Sequence, residues 1–186
     1  DVGCGNGSLG FYALDRGAKR VDSIDLNSRL IDFCNWVLFN EYDHYINKLN
    51  FYPCDINDLE YNKYDIIVSN TAFEHILEPY RCLRGIAQRL DKNGRCYIGF
   101  TGLWNSPWGD HKRTCVPFSK IFPWAHLCFT RNWIVKNYNK INPDNEISNI
   151  HDLGMNGFSF KEYVNLFNQT NLKKVYFGVN ISANPI

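Results

Sequence analysis

Excess charge is the first thing this 186-residue chain lacks: 20 Lys+Arg stand against 19 Asp+Glu, a formal net charge of +1. A nucleic-acid partner would call for a basic excess gathered on one face, so none is expected. Long apolar runs are absent too. Nothing approaches the roughly 18 residues of a membrane-spanning helix, which excludes an integral membrane segment of that kind. There is no C-x-x-C pair, and the seven cysteines are odd in number and scattered. A zinc ribbon or a disulfide framework would be spaced otherwise. Reduced, mostly buried thiols are expected instead, and these fit a cytoplasmic location. No repeat and no low-complexity stretch appears. An initiating Met is also missing: the chain opens Asp1-Val2-Gly3, already inside a glycine loop. That opening implies a piece of a longer chain, truncated at both ends.

What is present suits one globular domain. With 45% hydrophobic residues the chain can bury a full core. The first hundred residues alternate strand and helix. Val21–Asp25, Asn50–Cys54, Tyr64–Ser69 and Arg95–Thr101 are short, rich in β-branched or aromatic residues, and bounded by polar punctuation. After Ser28, an expected N-cap, Leu30, Phe33, Cys34, Val37 and Leu38 fall on one helical face. Pro79 suits a first helical position, and Asn93-Gly94 turns the chain toward the next strand. Such alternation predicts an α/β fold: a Rossmann-like, doubly wound, mostly parallel sheet with helices on both faces. Residues 1–101 would be the half that binds a ligand.

Residues 102–128 break the rhythm, with three of the five Trp, three of the seven Pro and no period. A segment of that length is expected to cover a binding site as a mobile lid, hinged at Gly102 and Gly109. Residues 129–186 return to helices, one opening with the capping-box quartet Ser159-Phe160-Lys161-Glu162, and to a strand at Lys173–Asn180.

Asp1-Val2-Gly3-Cys4-Gly5-Asn6-Gly7-Ser8-Leu9-Gly10 carries the chemistry. Glycines allow tight turns and let backbone N–H groups approach a ligand without a Cβ between. Gly5-x-Gly7-x-x-Gly10, with Asp25 twenty residues after Gly5, formally matches a dinucleotide fingerprint. That register, however, places Gly3 and Cys4 inside the strand and an acid just before them.

Asp1 through Gly7 also resembles the first motif of class I S-adenosylmethionine-dependent methyltransferases, small-molecule type. In that family an acid precedes G-x-G-x-G. Asp25, with Leu26 beside it, matches the acid that ends strand two and binds the ribose. Asp55, with Ile56, matches the acid that meets the adenine amine. Asn70, Phe73 and His75 follow the Tyr64–Ser69 strand, where the family lines its cofactor pocket. The resemblance spans residues 1–101 and implies S-adenosylmethionine held by Asp1, Gly3, Gly5, Gly7 and these residues. Its ammonium, ribose hydroxyls and amine are donors, and acids at successive strand ends accept from them.

For the acceptor side, Trp104, Trp108, Asp110, His111 and His126 are the candidates. Asp110 is expected to orient His111 as a general base. No metal site is expected, since His111, His126 and Asp110 lack a paired-ligand motif such as H-E-x-x-H. No Asn-Pro-Pro-Tyr follows the Tyr64–Ser69 strand; Ser69-Asn70-Thr71-Ala72 stands there, against the nucleic-acid amino-methylating pattern. The expected function is methyl transfer to a small-molecule acceptor, oxygen first, nitrogen or carbon next. Two alternatives stay open: a non-catalytic domain keeping this fold, and an NAD(P)-dependent oxidoreductase.

Overall fold

The computed structural model describes residues 1–60, 62–101 and 103–178. Helix α1 (Ser8–Asp15) leaves the glycine loop directly, with Gly7 in the left-handed conformation at its N-cap. Strand β1 (Val21–Ile24), helix α2 (Ser28–Glu41) and strand β2 (Leu49–Tyr52) follow. The α2 cap is Asn27 rather than Ser28: its side chain accepts from the Arg29 and Leu30 amides, one residue earlier than expected. The buried stripe is rotated as well. Ile31, Cys34 and Leu38 face inward, whereas Phe33 is half exposed.

Strand β3 (Tyr64–Asn70) pairs in parallel with β4 (Leu90–Gly99), and β1 pairs in parallel with β2. Val2 joins the two halves. It bridges Ile24 in parallel on one side, and on the other its amide donates to the Val68 carbonyl at 2.8 Å. The order is therefore β2–β1–Val2–β3–β4, with crossover helices, as in a doubly wound sheet. The Asn93-Gly94 turn falls inside the irregularity where the β3–β4 register jumps from Tyr64↔Leu90 to Ile66↔Arg95.

Helices α1 and α2 cover one face of β1 and β2, around Phe11, Cys34, Leu49 and Phe51. Helix α3 (Pro79–Arg89), begun at Pro79, packs on the other face through Leu83 and Ile86 against Val2, Ile24, Ile56 and Ile67. Helices thus stand on both faces of the sheet, while Ile66 and Tyr97 on β3–β4 are 60% and 53% exposed among the described residues. One expectation fails here. Lys173–Gly178 forms no strand, and 179–180, the rest of that expected strand, lie outside the described residues.

Helix α4 (Arg131–Ile141), capped by Thr130, and helix α5 (Phe160–Asn168) complete the chain. The Ser159–Glu162 capping box forms as expected. Residues 103–128 contain one short 3₁₀ turn, Ala125–Cys128, yet they are packed. Trp104, Val116 and Ala125 share a separate small core with Ile134, Ile150 and Met155. Among the cysteines, Cys4, Cys34 and Cys82 are buried, while Cys115 and Cys128 are exposed. No helix among the described residues is long and apolar enough to cross a membrane.

Candidate active site

The parallel strands all point their carboxyl ends at one edge, and the glycine loop lies along it. Gly3, Gly5 and Gly7 have φ of 73°, 54° and 77°, a region costly to residues with a Cβ. Their surroundings differ. A Cβ on Gly5 would meet nothing within 4 Å, so this glycine faces open space. A Cβ on Gly7 would lie 2.7 Å from the Phe51 ring and 2.9 Å from Cys34 Sγ. Gly7 is thus required by the α1–α2 core, since a side chain there would collide with it. Gly3 rests against Ala72, in the turn after β3.

Asp25 ties the loop to the sheet. One carboxylate oxygen accepts from the Gly5 amide at 3.0 Å, the other from the Asn27 amide at 2.9 Å. Each oxygen keeps a second lone pair for a ligand. Leu26 stands beside it, 76% exposed. The Asp1 carbonyl accepts from the Ile24 amide, which fixes the start of the loop. Asp55 is half-buried after β2 and accepts from the Asn57 amide at 2.8 Å and the Asn57 side chain at 2.6 Å. Ile56, expected beside it in the cofactor pocket, is buried under α3 in the core.

Past β3 the sequence expectations divide. Asn70 is exposed at the strand end. Phe73 is fully buried in the core near the Phe167 ring, so its side chain lines no cleft. Its carbonyl accepts from the Asn156 side chain at 2.7 Å and from the Tyr163 hydroxyl at 3.0 Å. Asn156 also donates to the Ile76 carbonyl, so this one buried amide clamps the turn at both ends. Burial raises the Tyr163 hydroxyl to about 12, which keeps it a neutral donor.

His75 is half-buried. Its Nδ1 meets the Gly154 carbonyl at 2.5 Å. A carbonyl only accepts, so Nδ1 carries the proton and Nε2 is left as the basic nitrogen. The His75 ring packs edge-on against His111, centroids 5.0 Å apart. His111 has a left-handed φ of 51°, a strained conformation for a side chain with a Cβ.

Asp110 does not orient His111. It is 2% exposed, accepts from Thr114 Oγ1 through a short hydrogen bond, and lies 3.8 Å from Nδ1 of His126. His126 is 1% exposed, and its Nε2 bonds the Trp104 carbonyl at 2.6 Å. Trp104 is itself buried, edge-on to His126. Trp104, Asp110 and His126 therefore hold the segment together and offer no surface to a substrate. Of the expected acceptor residues only Trp108, exposed and capped by Lys112, and His111 remain at the surface of the site.

Glu74 was missed by the sequence reading. It is 4% exposed, and one carboxylate oxygen accepts from the Thr101 amide at 3.3 Å. Its ligand oxygen lies within 4.8 Å of ring nitrogens of both His75 and His111. The Glu-His dipeptide after β3 was the available signal, but only folding shows that residue 111 joins it.

Residues 1–103 match the model of a methyltransferase domain family, and the chain belongs to that family. Its members are enzymes whose methyl donor is S-adenosylmethionine. A histone-arginine methyltransferase CARMER of Drosophila persimilis is 28% identical over 135 residues, 69% of this chain and 24% of its own length. The protein of the same name from Drosophila pseudoobscura pseudoobscura matches equally. The chain thus spans about a quarter of the length of the curated relatives it matches. Among solved structures, the plantazolicin methyltransferase BpumL bound to S-adenosylhomocysteine superposes with TM-score 0.50 at 20% identity. It covers 92% of this chain and 66% of its own. A methyltransferase of Methanococcus maripaludis gives TM-score 0.50 at 17% identity, over 77% and 55% of the two chains. These two likenesses show the fold.

Proposed function

We propose that the chain transfers a methyl group from S-adenosylmethionine to a small-molecule acceptor, with an oxygen nucleophile first. The observation that carries this is the join between the Asp25–Gly5 contact and the open space in front of Gly5. A glycine whose amide is drawn into the fold and whose missing Cβ leaves a cleft is a cradle for a ligand. Asp25 has lone pairs left for a ribose diol, and Asp55 is placed one strand further along for an adenine amine. Both are acceptors, as a donor-rich ligand requires, whereas a pyrophosphate would be repelled by them.

The bound cofactor supplies a methyl group already activated on a sulfonium. What remains for the protein is to hold the acceptor near attack distance, which contributes up to roughly 7–11 kcal/mol, and to remove a proton where the nucleophile carries one. His111 is assigned that task, within the 103–128 segment proposed to cover the acceptor. The near-neutral charge and exposed Trp108 suit an uncharged or aromatic-compatible acceptor.

Calorimetric titration of the protein with S-adenosylhomocysteine and with NAD(H) tests the reading. Binding of S-adenosylhomocysteine alone is expected. Binding of the nicotinamide alone overturns it in favour of an oxidoreductase, and binding of neither by folded protein favours a non-catalytic domain.

A further inference from the structure

Glu74 poses a problem that methyl transfer leaves unsolved. Its carboxylate sits 96% buried, and while Oε1 accepts from the Thr101 amide, Oε2 has no hydrogen-bond partner among the described residues. An unpartnered buried carboxylate oxygen is expensive and calls for a cation, a proton or a bound water. Two imidazoles stand beside it. The ligand atoms of Glu74, His75 and His111 all lie within 4.8 Å of one another. His75 is prepared in the way metal-binding histidines are: Nδ1–H is spent on the Gly154 carbonyl, which fixes the tautomer and leaves Nε2 as donor of an electron pair. Arg113 in turn donates to the neighbouring Leu153 carbonyl at 2.8 Å, bracing that turn.

We propose that Glu74, His75 and His111 bind one divalent first-row transition-metal ion of the zinc type. Two imidazole nitrogens and one carboxylate oxygen suit such an ion better than Mg²⁺ or Ca²⁺, which prefer all-oxygen shells. Ligand atoms about 2.0–2.2 Å from an ion in a tetrahedral set lie roughly 3.3 Å apart, so the three must close by at most about 1.5 Å. Three protein ligands leave a position open for an outside oxygen, the arrangement of sites that act on a substrate rather than brace a fold. The location agrees. Glu74 lies two residues after Ala72, which borders Gly3 of the cofactor loop, and its carboxylate accepts from the Thr101 amide, two residues past β4. The proposal rests on the acceptor-side reading above but gives His111 a different task, as a ligand rather than a base.

Metal-stripped full chain is titrated with Co²⁺, followed by visible absorption, and with Zn²⁺ by calorimetry. One equivalent is expected, with the ligand-field bands of nitrogen and oxygen ligation and no thiolate charge-transfer band. A Cys115→Ser/Cys128→Ser variant removes the exposed thiols and should bind as tightly. His111→Ala should weaken both ions at least tenfold and abolish the rise in Tm that Zn²⁺ gives the wild type. Glu74→Gln should do the same; because it disturbs a buried group, the more exposed His111→Ala is the deciding variant. No stoichiometric binding by folded wild type overturns the proposal. So does unchanged affinity in folded His111→Ala, or loss of binding with the two thiols. S-adenosylhomocysteine binding without metal binding leaves the methyltransferase reading and removes only this site; metal binding without S-adenosylhomocysteine does the reverse.

Discussion

Residues 1–101 and residues 103–158 meet at one edge of the sheet but are assembled by different rules. In the first, each candidate ligand is delivered by a strand end, so its position follows from the order of strands. Asp25 directly follows β1 and Asp55 follows β2. In the second, no strand sets the geometry. Trp104, Asp110, Thr114 and His126 find one another through a buried network within a small core of its own. The comparison teaches where function can hide: a sheet edge presents its chemistry, whereas a loop segment must first spend its polar groups on its own stability.

The largest effect that tests this division belongs to His111, the residue of the loop segment that reaches the Glu74–His75 pair. His111→Ala should lower turnover by about 10²–10⁴-fold, whether it acts as base or as ligand, with S-adenosylhomocysteine affinity unchanged. Loss of cofactor affinity as well would erase the boundary between the two regions. Asp110→Ala comes next and should do the opposite. Removing a carboxylate held by Thr114 and His126 in the interior should destabilise the chain by about 2–4 kcal/mol, read from the denaturation midpoint. A stable Asp110→Ala protein with lost activity would restore Asp110 to the site.

The glycine loop offers a contrast within the first region. Gly7→Ala drives a Cβ into Phe51 and Cys34 in addition to its backbone strain, and should cost about 2–4 kcal/mol of stability. Gly5→Ala meets open space and should cost only about 1 kcal/mol, while losing cofactor affinity. Equal stability losses would mean that the Gly5 cleft is not open. Asp25→Ala should weaken S-adenosylhomocysteine about tenfold or more, about 1.4 kcal/mol, by calorimetry. Unchanged affinity in a folded variant would leave Asp25 as a loop fastener alone.

Local signals were readable and remote ones were not. Pro79 starts α3, and Ser159 and Glu162 form their box, because both depend on residues three or four apart. The glycine spacing and Asp25 were readable because strand order is nearly forced by right-handed crossovers. The Asp110–His111 adjacency misled: neighbours in sequence diverge when φ is positive at 111 and a partner sixteen residues on, His126, competes for the carboxylate. Phe73 was placed in the cleft because it follows β3, yet a fully apolar ring gains more from the core, which α5 supplies ninety residues later through Tyr163. Asn156 carries no motif at all. Its role exists only because two carbonyls of a distant turn need donors.

The smallest effect concerns the two regions' cysteines. Burial raises Cys4 and Cys82 of the first region to about 12 from an ordinary value near 9, whereas Cys115 and Cys128 of the second are exposed. At pH 8 iodoacetamide should therefore label Cys115 and Cys128 first, as read by mass spectrometry. The same shift makes stability depend on alkaline pH, and its sign follows from proton counting. Above pH 9 the unfolded thiols ionise while the buried native ones keep their protons, so unfolding releases protons and stability falls as pH rises. The contribution is complete below about pH 8 and is lost progressively up to about pH 12. At pH 9 itself the two thiols together should have cost a little under about 1 kcal/mol, because half of each unfolded thiol is then ionised. Cys4→Ser/Cys82→Ser should flatten that slope between pH 8 and 10, at some cost in overall stability. A slope unchanged by the substitutions would show that the glycine-loop side of the core is open to water, and the contrast between a sealed first region and an exposed second would fail.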